Sequence, residues 1–192
     1  MKILLTQEEV REGVSRMARE INACYGKRPV TIVGVLTGSV VLLADLIRLL
    51  EMPLRVGLVQ AKSYRGASTV RSELEIKADS LPDVSGCDVV IIDDIFDTGH
   101  TLDKLLEGFG AFGCSSVRSA VLLRKHGRCE VARAPDFYAF EIPDEFVVGY
   151  GLDYDDEYRN LPHIAALEPH DIAAAKPQDK PAKAHDTTRT KS

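Results

Sequence analysis

The chain has 192 residues, 45% of them hydrophobic, which suits one compact domain with a sizeable core. No stretch is long and apolar enough to cross a membrane, the residues after Met1 do not fit a signal peptide, and four cysteines without disulfide or metal-ligand spacing indicate a reduced, cytoplasmic protein. The net charge is −5, and residues 1–169 carry −7, which argues against general nucleic-acid binding.

The first third of the chain alternates helical and strand patterns. Thr6-Gln7-Glu8-Glu9 forms a capping box, which predicts a helix that ends near Tyr25-Gly26. The β-branched run Val30–Leu36 is too short for a helix and apolar on both faces, so it predicts a buried parallel strand. A turn, a helix and a strand are predicted next, at Thr37-Gly38-Ser39, Val40–Leu50 and Leu54–Ala61.

The alternation resumes after a different kind of segment. Residues 65–72 are small, polar and without period, and we expect a mobile loop there, with short strand or turn pieces around Ile76 and Leu81. A helix is predicted from Thr98-Gly99-His100 to Gly113. Further strands are predicted at Asp88–Ile92, Ser116–Leu123, Phe137–Phe140, Phe146–Val148 and His163–Leu167.

The end of the chain differs in composition from the rest. Residues 170–192 carry a net charge of +2 and are rich in lysine, alanine and threonine, with two prolines. This composition cannot bury enough apolar surface to fold, so it predicts a disordered tail after a folded domain of residues 1–169.

The repeated order of strand and helix predicts an α/β fold with an open, mainly parallel twisted sheet flanked by helices. Sheets of this kind bind ligands at the carboxyl ends of their strands. Leu36-Thr37-Gly38 and the segment from Asp93 to Thr101 both lie at such ends. Candidate functional residues are therefore concentrated in these two segments.

The segment from Asp93 to Thr101 carries the strongest chemical signal. Asp93 and Asp94 end an apolar strand, where buried charge is costly unless a function or a partner stabilises it. Asp97-Thr98-Gly99-His100-Thr101 then opens a helix whose free amides, glycine turn and hydroxyls suit a phosphate monoester. The alternative is that Asp97 or Thr98 only caps the helix and the aspartate pair is a solvated strand end.

Val89–Leu102 resembles the phosphoribosyl-pyrophosphate signature of the type I phosphoribosyltransferases: a hydrophobic strand, two acids, two hydrophobic residues, Asp-Thr-Gly, a variable residue and Thr. Three further segments, in the same order, resemble hypoxanthine-guanine phosphoribosyltransferase: Gly34–Ser39 with its following helix, Lys62-Ser63-Tyr64 and Phe146–Pro162. The resemblance implies the type I phosphoribosyltransferase fold, with a small hood formed by the chain ends. It also implies purine salvage, in which 5-phosphoribosyl 1-pyrophosphate and hypoxanthine or guanine give IMP or GMP and pyrophosphate.

The resemblance implies a role for each residue of the signature. Asp97 would lie by the purine N7 and act as general base or acid. Asp93 and Asp94 would engage the ribose hydroxyls, directly or through Mg²⁺. The amides and hydroxyls that would hold the 5′-phosphate belong to Thr98, Gly99, His100 and Thr101.

The pyrophosphate would be bound by two separate segments. Leu36, Thr37 and Gly38 would offer backbone amides, in the family by way of a cis peptide, and Arg159 would supply a guanidinium. Lys62-Ser63-Tyr64 would begin a flexible loop that closes over the site and shields the reacting ribose from water.

The purine would be bound farther along the chain. Lys125, rather than neighbouring Arg124, aligns with the lysine that contacts the exocyclic oxygen of the base. Phe146 would stack on the base, and Val147 would bind its edge through the backbone. The base-binding segment ends at Asp153, which would hold a second magnesium ion. Phe96 could pack beneath the purine or belong to the core.

Two positions depart from the family pattern. The first acid of the signature is commonly glutamate, whereas this chain has Asp93, whose shorter arm could act through water or metal. The pyrophosphate-loop position often held by lysine is Thr37, which removes a charge but leaves backbone recognition possible.

Two other functions fit parts of the sequence. A nucleotide-sensing regulator on the same fold would need a basic nucleic-acid surface or an added domain, which this acidic chain lacks. A xanthine-preferring phosphoribosyltransferase stays open, whereas Lys125 argues against adenine. The expected partners are therefore small molecules, without nucleic acid or membrane, and the resemblance suggests a homodimer or homotetramer.

Overall fold

The computed structural model describes residues 1–63, 74–168 and 170–171. Tyr64, the loop predicted at residues 65–72 and the predicted tail beyond residue 171 lie outside the described residues. The elements in chain order are β1 (Lys2–Leu5), α1 (Gln7–Tyr25), β2 (Val30–Leu36), α2 (Val40–Leu46), β3 (Leu54–Ser63), β4 (Leu74–Ser80), β5 (Asp88–Phe96), α3 (His100–Ala111), β6 (Ser116–Lys125), β7 (Phe137–Ile142), β8 (Val147–Val148) and β9 (Ile164–Ala166).

The main sheet has, within the described ranges, six strands in the order β4-β3-β2-β5-β6-β7. The pairs from β3 to β7 are parallel, and β4 runs antiparallel at one edge. The predicted open, mainly parallel sheet flanked by helices is confirmed. None of the helices described is long and apolar enough to cross a membrane.

Two hydrophobic clusters cover the two faces of this sheet. Because side chains alternate along a strand, Val30 and Ile32 of β2 join α1 and α2 in one cluster. Val33 and Val35 join α3 in the other. The strand is therefore buried on both faces, as its uninterrupted apolar sequence predicted.

The capping box begins α1 as predicted. The backbone N–H of Glu9 donates to the Thr6 hydroxyl at 3.3 Å, and the Thr6 backbone N–H donates to the Glu9 carboxylate at 2.8 Å. These two bonds satisfy amides that a helix start otherwise leaves unpaired. The helix ends at Tyr25, and Gly26 follows with φ of 59°.

Both ends of the described chain contribute to a second, smaller sheet, the hood. Its three strands among the described residues have the order β1-β9-β8, all antiparallel. Each strand is short and pairs with a partner far away in the sequence, such as Lys2 with Ala166. The hood implied by the family resemblance is therefore present.

Besides β1, which was not predicted, the helix after β2 and the strand β4 differ from the sequence prediction. The helix predicted to reach Leu50 ends at Leu46, because the chain turns there and the Leu49 N–H bonds to the Leu46 carbonyl instead of continuing the helix. Of the short pieces predicted around Ile76 and Leu81, the first is a seven-residue strand, β4, and Leu81 lies just after its end. This strand is polar and gains its regularity from pairing with the edge of β3.

Candidate active site

The ends of β2 and β5 meet at the carboxyl edge of the main sheet. The β2–β5 pairing ends at Gly34 and Ile92, so Leu36-Thr37-Gly38 lies next to the aspartate pair, which stays in β5 and pairs there with β6. The prediction that this strand ends at Ile92 is wrong, because β5 continues to Phe96. A Cβ added to Gly38 would lie 1.6 Å from Asp94 Oδ2, so only glycine fits there with Asp94 in its present position. The Leu36–Thr37 peptide bond is cis.

Asp93 and Asp94 form a pair of partly buried carboxyls at this edge. The Asp94 N–H donates to Asp93 Oδ1 at 3.0 Å. Burial raises the pKa of Asp93 well above its usual range, and the charge of Asp94 adds to the rise. Burial also raises the pKa of Asp94, against the lowering effect of hydrogen bonds and of Arg159. The pair is therefore costly to ionise without a cation nearby.

Next to this pair, the start of α3 lines a cleft of about 280 Å³. Gly99, with φ of 90°, precedes the helix, and no side chain of the described residues caps it. The alternative in which Asp97 or Thr98 caps α3 is therefore wrong, and the first amides of α3 remain available to an anion.

The glycine at this turn is required by a close approach. A Cβ added to Gly99 would lie 2.5 Å from Val131 Cγ2 and 2.8 Å from Phe96 Cζ. Phe96 is only 2% exposed and belongs to the hydrophobic cluster on the α3 face. Of the two interpretations of Phe96, the structure favours the core.

Lys125 ends β6 beside the end of β5. Its ammonium lies 3.7 Å from Asp97 Oδ2, and its side chain is only 10% exposed. Arg124 lies 3.9 Å from the carboxylate of Glu141 and stacks over the ring of Tyr138. Lys125, not Arg124, therefore shares the site with Asp97.

The base-binding segment predicted after residue 145 begins in the hood, where Val147 and Val148 form β8. Phe146 is 49% exposed and packs edge to face with Tyr154, at 5.5 Å between ring centroids. Val147 is buried in β8, where it pairs with Ala166. An aromatic ring that stays half exposed is available for stacking on a ligand.

The same segment contacts Leu36-Thr37-Gly38, the loop predicted to bind pyrophosphate. A Cβ added to Gly151 would lie 2.1 Å from the Gly38 carbonyl oxygen, so the two backbones touch. Arg159 donates to the Gly151 carbonyl at 2.7 Å and forms an ion pair with Asp153 at 2.7 Å. Because Gly151 touches Gly38, this hydrogen bond places Arg159 close to the loop that follows β2.

Two sets of predicted site residues remain: the start of the predicted flexible loop, and His100. The backbones of Lys62 and Ser63 lie in the last part of β3, one strand away from Leu36, whereas Tyr64 is outside the described residues. His100 opens α3, and its Nε2 lies 2.9 Å from Glu130 Oε2.

Sequence reasoning missed three charged residues at this site. Arg128 donates from Nε to Asp97 Oδ1 at 2.9 Å, and Asp144 accepts from Lys125 at 3.2 Å. Glu130 contacts His100 and donates its backbone N–H to the Thr98 carbonyl. Only the topology could have indicated Arg128 and Glu130, because the loop after β6 leaves the sheet at the same edge as Asp97.

The comparisons with known proteins agree with this geometry. A family model described as the phosphoribosyl transferase domain matches residues 1–155. Fold and site together define a phosphoribosyltransferase domain: a mainly parallel sheet with two acids and a cleft of about 280 Å³ at its carboxyl edge.

Similar proteins show which kind of phosphoribosyltransferase the chain resembles. Hypoxanthine-guanine phosphoribosyltransferase of Bacillus subtilis is 37% identical over 168 residues, which cover 88% of this chain and 93% of the relative. The bifunctional protein TilS/HprT of Listeria innocua is 38% identical, and the matched region covers 88% of this chain but only 26% of that protein. A ternary substrates complex of hypoxanthine phosphoribosyltransferase from Trypanosoma cruzi is 34% identical, with a TM-score of 0.84 over 90% of this chain and 97% of that one. This chain belongs to the hypoxanthine-guanine phosphoribosyltransferase family.

Proposed function

We propose that this protein works in purine salvage, transferring the phosphoribosyl group of 5-phosphoribosyl 1-pyrophosphate to hypoxanthine or guanine and forming IMP or GMP with release of pyrophosphate. The observation that carries the proposal is the 3.7 Å approach of Lys125 to Asp97, beside a helix start that no described side chain caps. An ammonium and a carboxylate side by side can bind a 6-oxopurine at its oxygen and its N7.

Asp97 manages the proton of the base in this proposal. When N9 of the base attacks the anomeric carbon, the proton that the base carries on N7 must leave, and a carboxylate at N7 can receive it. Lys125 donates to the exocyclic oxygen, Phe146 stacks on the ring and Val147 contacts the base through its backbone. The half-exposed ring of Phe146 supports this role.

The nucleotide's phosphate lies at the start of α3. The first amides of the helix and the hydroxyls of Thr98 and Thr101 donate to it, with the backbones of Gly99 and His100 completing the cradle. Its negative charge also interacts favourably with the positive end of the helix dipole.

Pyrophosphate leaves from the side of the ribose opposite the attacking purine. The amides of Leu36, Thr37 and Gly38 and the guanidinium of Arg159 bind it and stabilise the charge that develops on it. Lys62, Ser63 and Tyr64 begin the loop that shields the reacting sugar from water.

Mg²⁺ is the cofactor we propose. Asp93 and Asp94 fit a divalent cation, because burial and mutual repulsion disfavour two bare carboxylates at this edge. Together with Asp153 they would hold the metal, and the bound ion neutralises phosphate oxygens of the substrate. Asp93 and Asp94 also face the ribose, where the charge they carry stabilises a cationic sugar.

The setting of the enzyme completes the proposal. We infer a phosphoribosyltransferase domain of residues 1–169, acting in the cytoplasm as a homodimer or homotetramer. Each of the four cysteines is described by the structure and is a free thiol, which suits a reducing compartment. Val40, next to the pyrophosphate loop, is 41% exposed and could be covered by another subunit.

The test is an assay of nucleotide formation. The protein is incubated with phosphoribosyl pyrophosphate, Mg²⁺ and hypoxanthine, guanine, xanthine or adenine in turn. Asp97→Asn should reduce turnover by about 10²- to 10⁴-fold while nucleotide binding persists. Asp103→Asn, which alters an aspartate of α3 paired with Arg133, is the matched control. Wild-type protein that forms no IMP or GMP would refute the function.

A further inference from the structure

Two cations and two carboxylates alternate around the candidate purine site. Lys125 Nζ lies 3.2 Å from Asp144 Oδ1 and 3.7 Å from Asp97 Oδ2. Arg128 lies 2.9 Å from Asp97 Oδ1 and 3.6 Å from Asp144 Oδ2. Each cation is therefore paired with the same two acids, and each acid with the same two cations.

The four residues come from three separate parts of the chain. Lys125 ends β6, and Arg128 follows in the loop after it. Asp97 follows β5, and Asp144 lies between β7 and β8, two residues before Phe146. Asp144 thus ties the strand end that carries Lys125 to the segment that carries the exposed aromatic ring.

The pairing creates a conflict for Asp97. One of its oxygens accepts from Arg128 and the other faces Lys125, whereas a base that binds the purine N7 needs a free oxygen. The purine therefore competes with both cations for this carboxylate, and a second acid that takes up the cations reduces the competition. Asp144 is already within 3.2 Å of Lys125 and 3.6 Å of Arg128.

We propose that Asp144 is a positioning residue that holds Lys125 and accepts Arg128, so that the carboxylate of Asp97 is free for the purine. This inference rests on the proposed function. Lys125 has three N–H donors; with Asp144 holding one of them, another is directed to the exocyclic oxygen of the base. Arg128 reaches Asp144 by a rotation of its side chain, because its Nη1 already faces that carboxylate.

The experiment compares Asp144→Asn with a double variant. Without the charge of Asp144, both cations should pair with Asp97 alone and compete with the purine for it. The kcat/KM for hypoxanthine should therefore fall by about tenfold or more. The KM for phosphoribosyl pyrophosphate should stay unchanged, because the phosphate cradle and Gly38 do not touch Asp144. Removing the competing cation in Asp144→Asn/Arg128→Gln should recover part of the lost kcat/KM.

Glu141→Gln is the matched control. Glu141 lies on β7 and pairs with Arg124 and His126, so its loss removes one acid from the same region without touching Asp97. Thermal unfolding of all variants is measured alongside, because a merely structural role of Asp144 would lower stability and weaken both substrates equally.

The outcomes separate the two proposals. Recovery in the double variant, with an effect confined to the purine, supports the role of Asp144. Active wild-type protein with an Asp144→Asn variant that behaves like Glu141→Gln, or a double variant no better than the single one, would overturn the inference alone. Wild-type protein without transferase activity would overturn the proposed function and this inference with it.

Discussion

Replacing Gly38 by alanine would test the contact between the loop after β2 and the aspartate pair. The methyl group of alanine would stand 1.6 Å from Asp94 Oδ2 and 2.5 Å from Asp94 Cγ. An unstrained contact needs about 3.5 Å, so the carboxyl group must move by roughly 2 Å. The atoms in the way belong to one short side chain that can rotate, so the backbone can stay in place.

The expected cost therefore falls on activity more than on stability. Rotation of Asp94 should lower the free energy of unfolding by only about 1 kcal/mol. A displacement of about 1 Å at a reacting group costs on the order of 10²-fold in rate. We expect kcat/KM for phosphoribosyl pyrophosphate to fall by at least about 100-fold, which corresponds to roughly 3 kcal/mol of transition-state stabilisation.

The assay measures initial rates over a range of phosphoribosyl pyrophosphate concentrations, with urea unfolding of the same preparations. Gly110→Ala is the control, because no heavy atom of the described residues lies within 4 Å of a Cβ added there. That helical substitution should stabilise the protein by about 0.5–1 kcal/mol and leave the rates unchanged. A Gly38→Ala enzyme with wild-type kcat/KM would refute the argument that Gly38 makes room for a working Asp94.

Three further predictions concern stability. Asp93→Asn should abolish activity but raise the free energy of unfolding of the ligand-free protein by on the order of 1 kcal/mol, since a neutral amide avoids the cost of burying an ionisable carboxyl. Because the pKa of Asp93 is raised in the folded protein, the native state binds a proton that the unfolded state has lost. The free energy of unfolding of the wild type should therefore fall as pH rises from about 4 through that raised pKa, and it should fall less steeply in Asp93→Asn. Equal slopes in urea titrations of the two proteins would contradict this. Tyr150→Phe removes the 2.7 Å hydrogen bond to Asp45 and should cost about 1 kcal/mol in urea unfolding; an unchanged midpoint would show that water replaces the bond. Thr6→Ala breaks the capping box and should cost about 1 kcal/mol without altering kcat, and a changed kcat would mean that α1 contributes to the site.

Local signals predicted the elements whose causes lie within a few residues. The start of α1 follows from the Thr6 and Glu9 side chains, and the bounds of β2 follow from one apolar run between turns. The strand β1 was not predicted, because four residues acquire a strand conformation only by pairing with β9. Polar β4 likewise depends on its partner strand rather than on its own pattern.

The site residues, too, could be predicted only where the signal lies within a few consecutive residues. The segment from Asp93 to Thr101 could be found because strand end, acids and phosphate cradle are consecutive in the sequence. Arg128 and Asp144 could not, since an isolated arginine or aspartate in a loop has no pattern. Their contact with Asp97 and Lys125 appears only when the ends of β5 and β6 and the segment after β7 meet at one edge of the sheet.

The order of strands in the hood has a consequence for the protein as it leaves the ribosome. The first strand made, β1, pairs with β9, and so does β8, the strand next to Phe146. The main sheet can assemble as its strands emerge, whereas β1 must wait without its partner until residues 164–166 have been translated. A nascent chain can therefore form the turn from Asp97 to Thr101 before β8, the strand next to Phe146, has its partner strand.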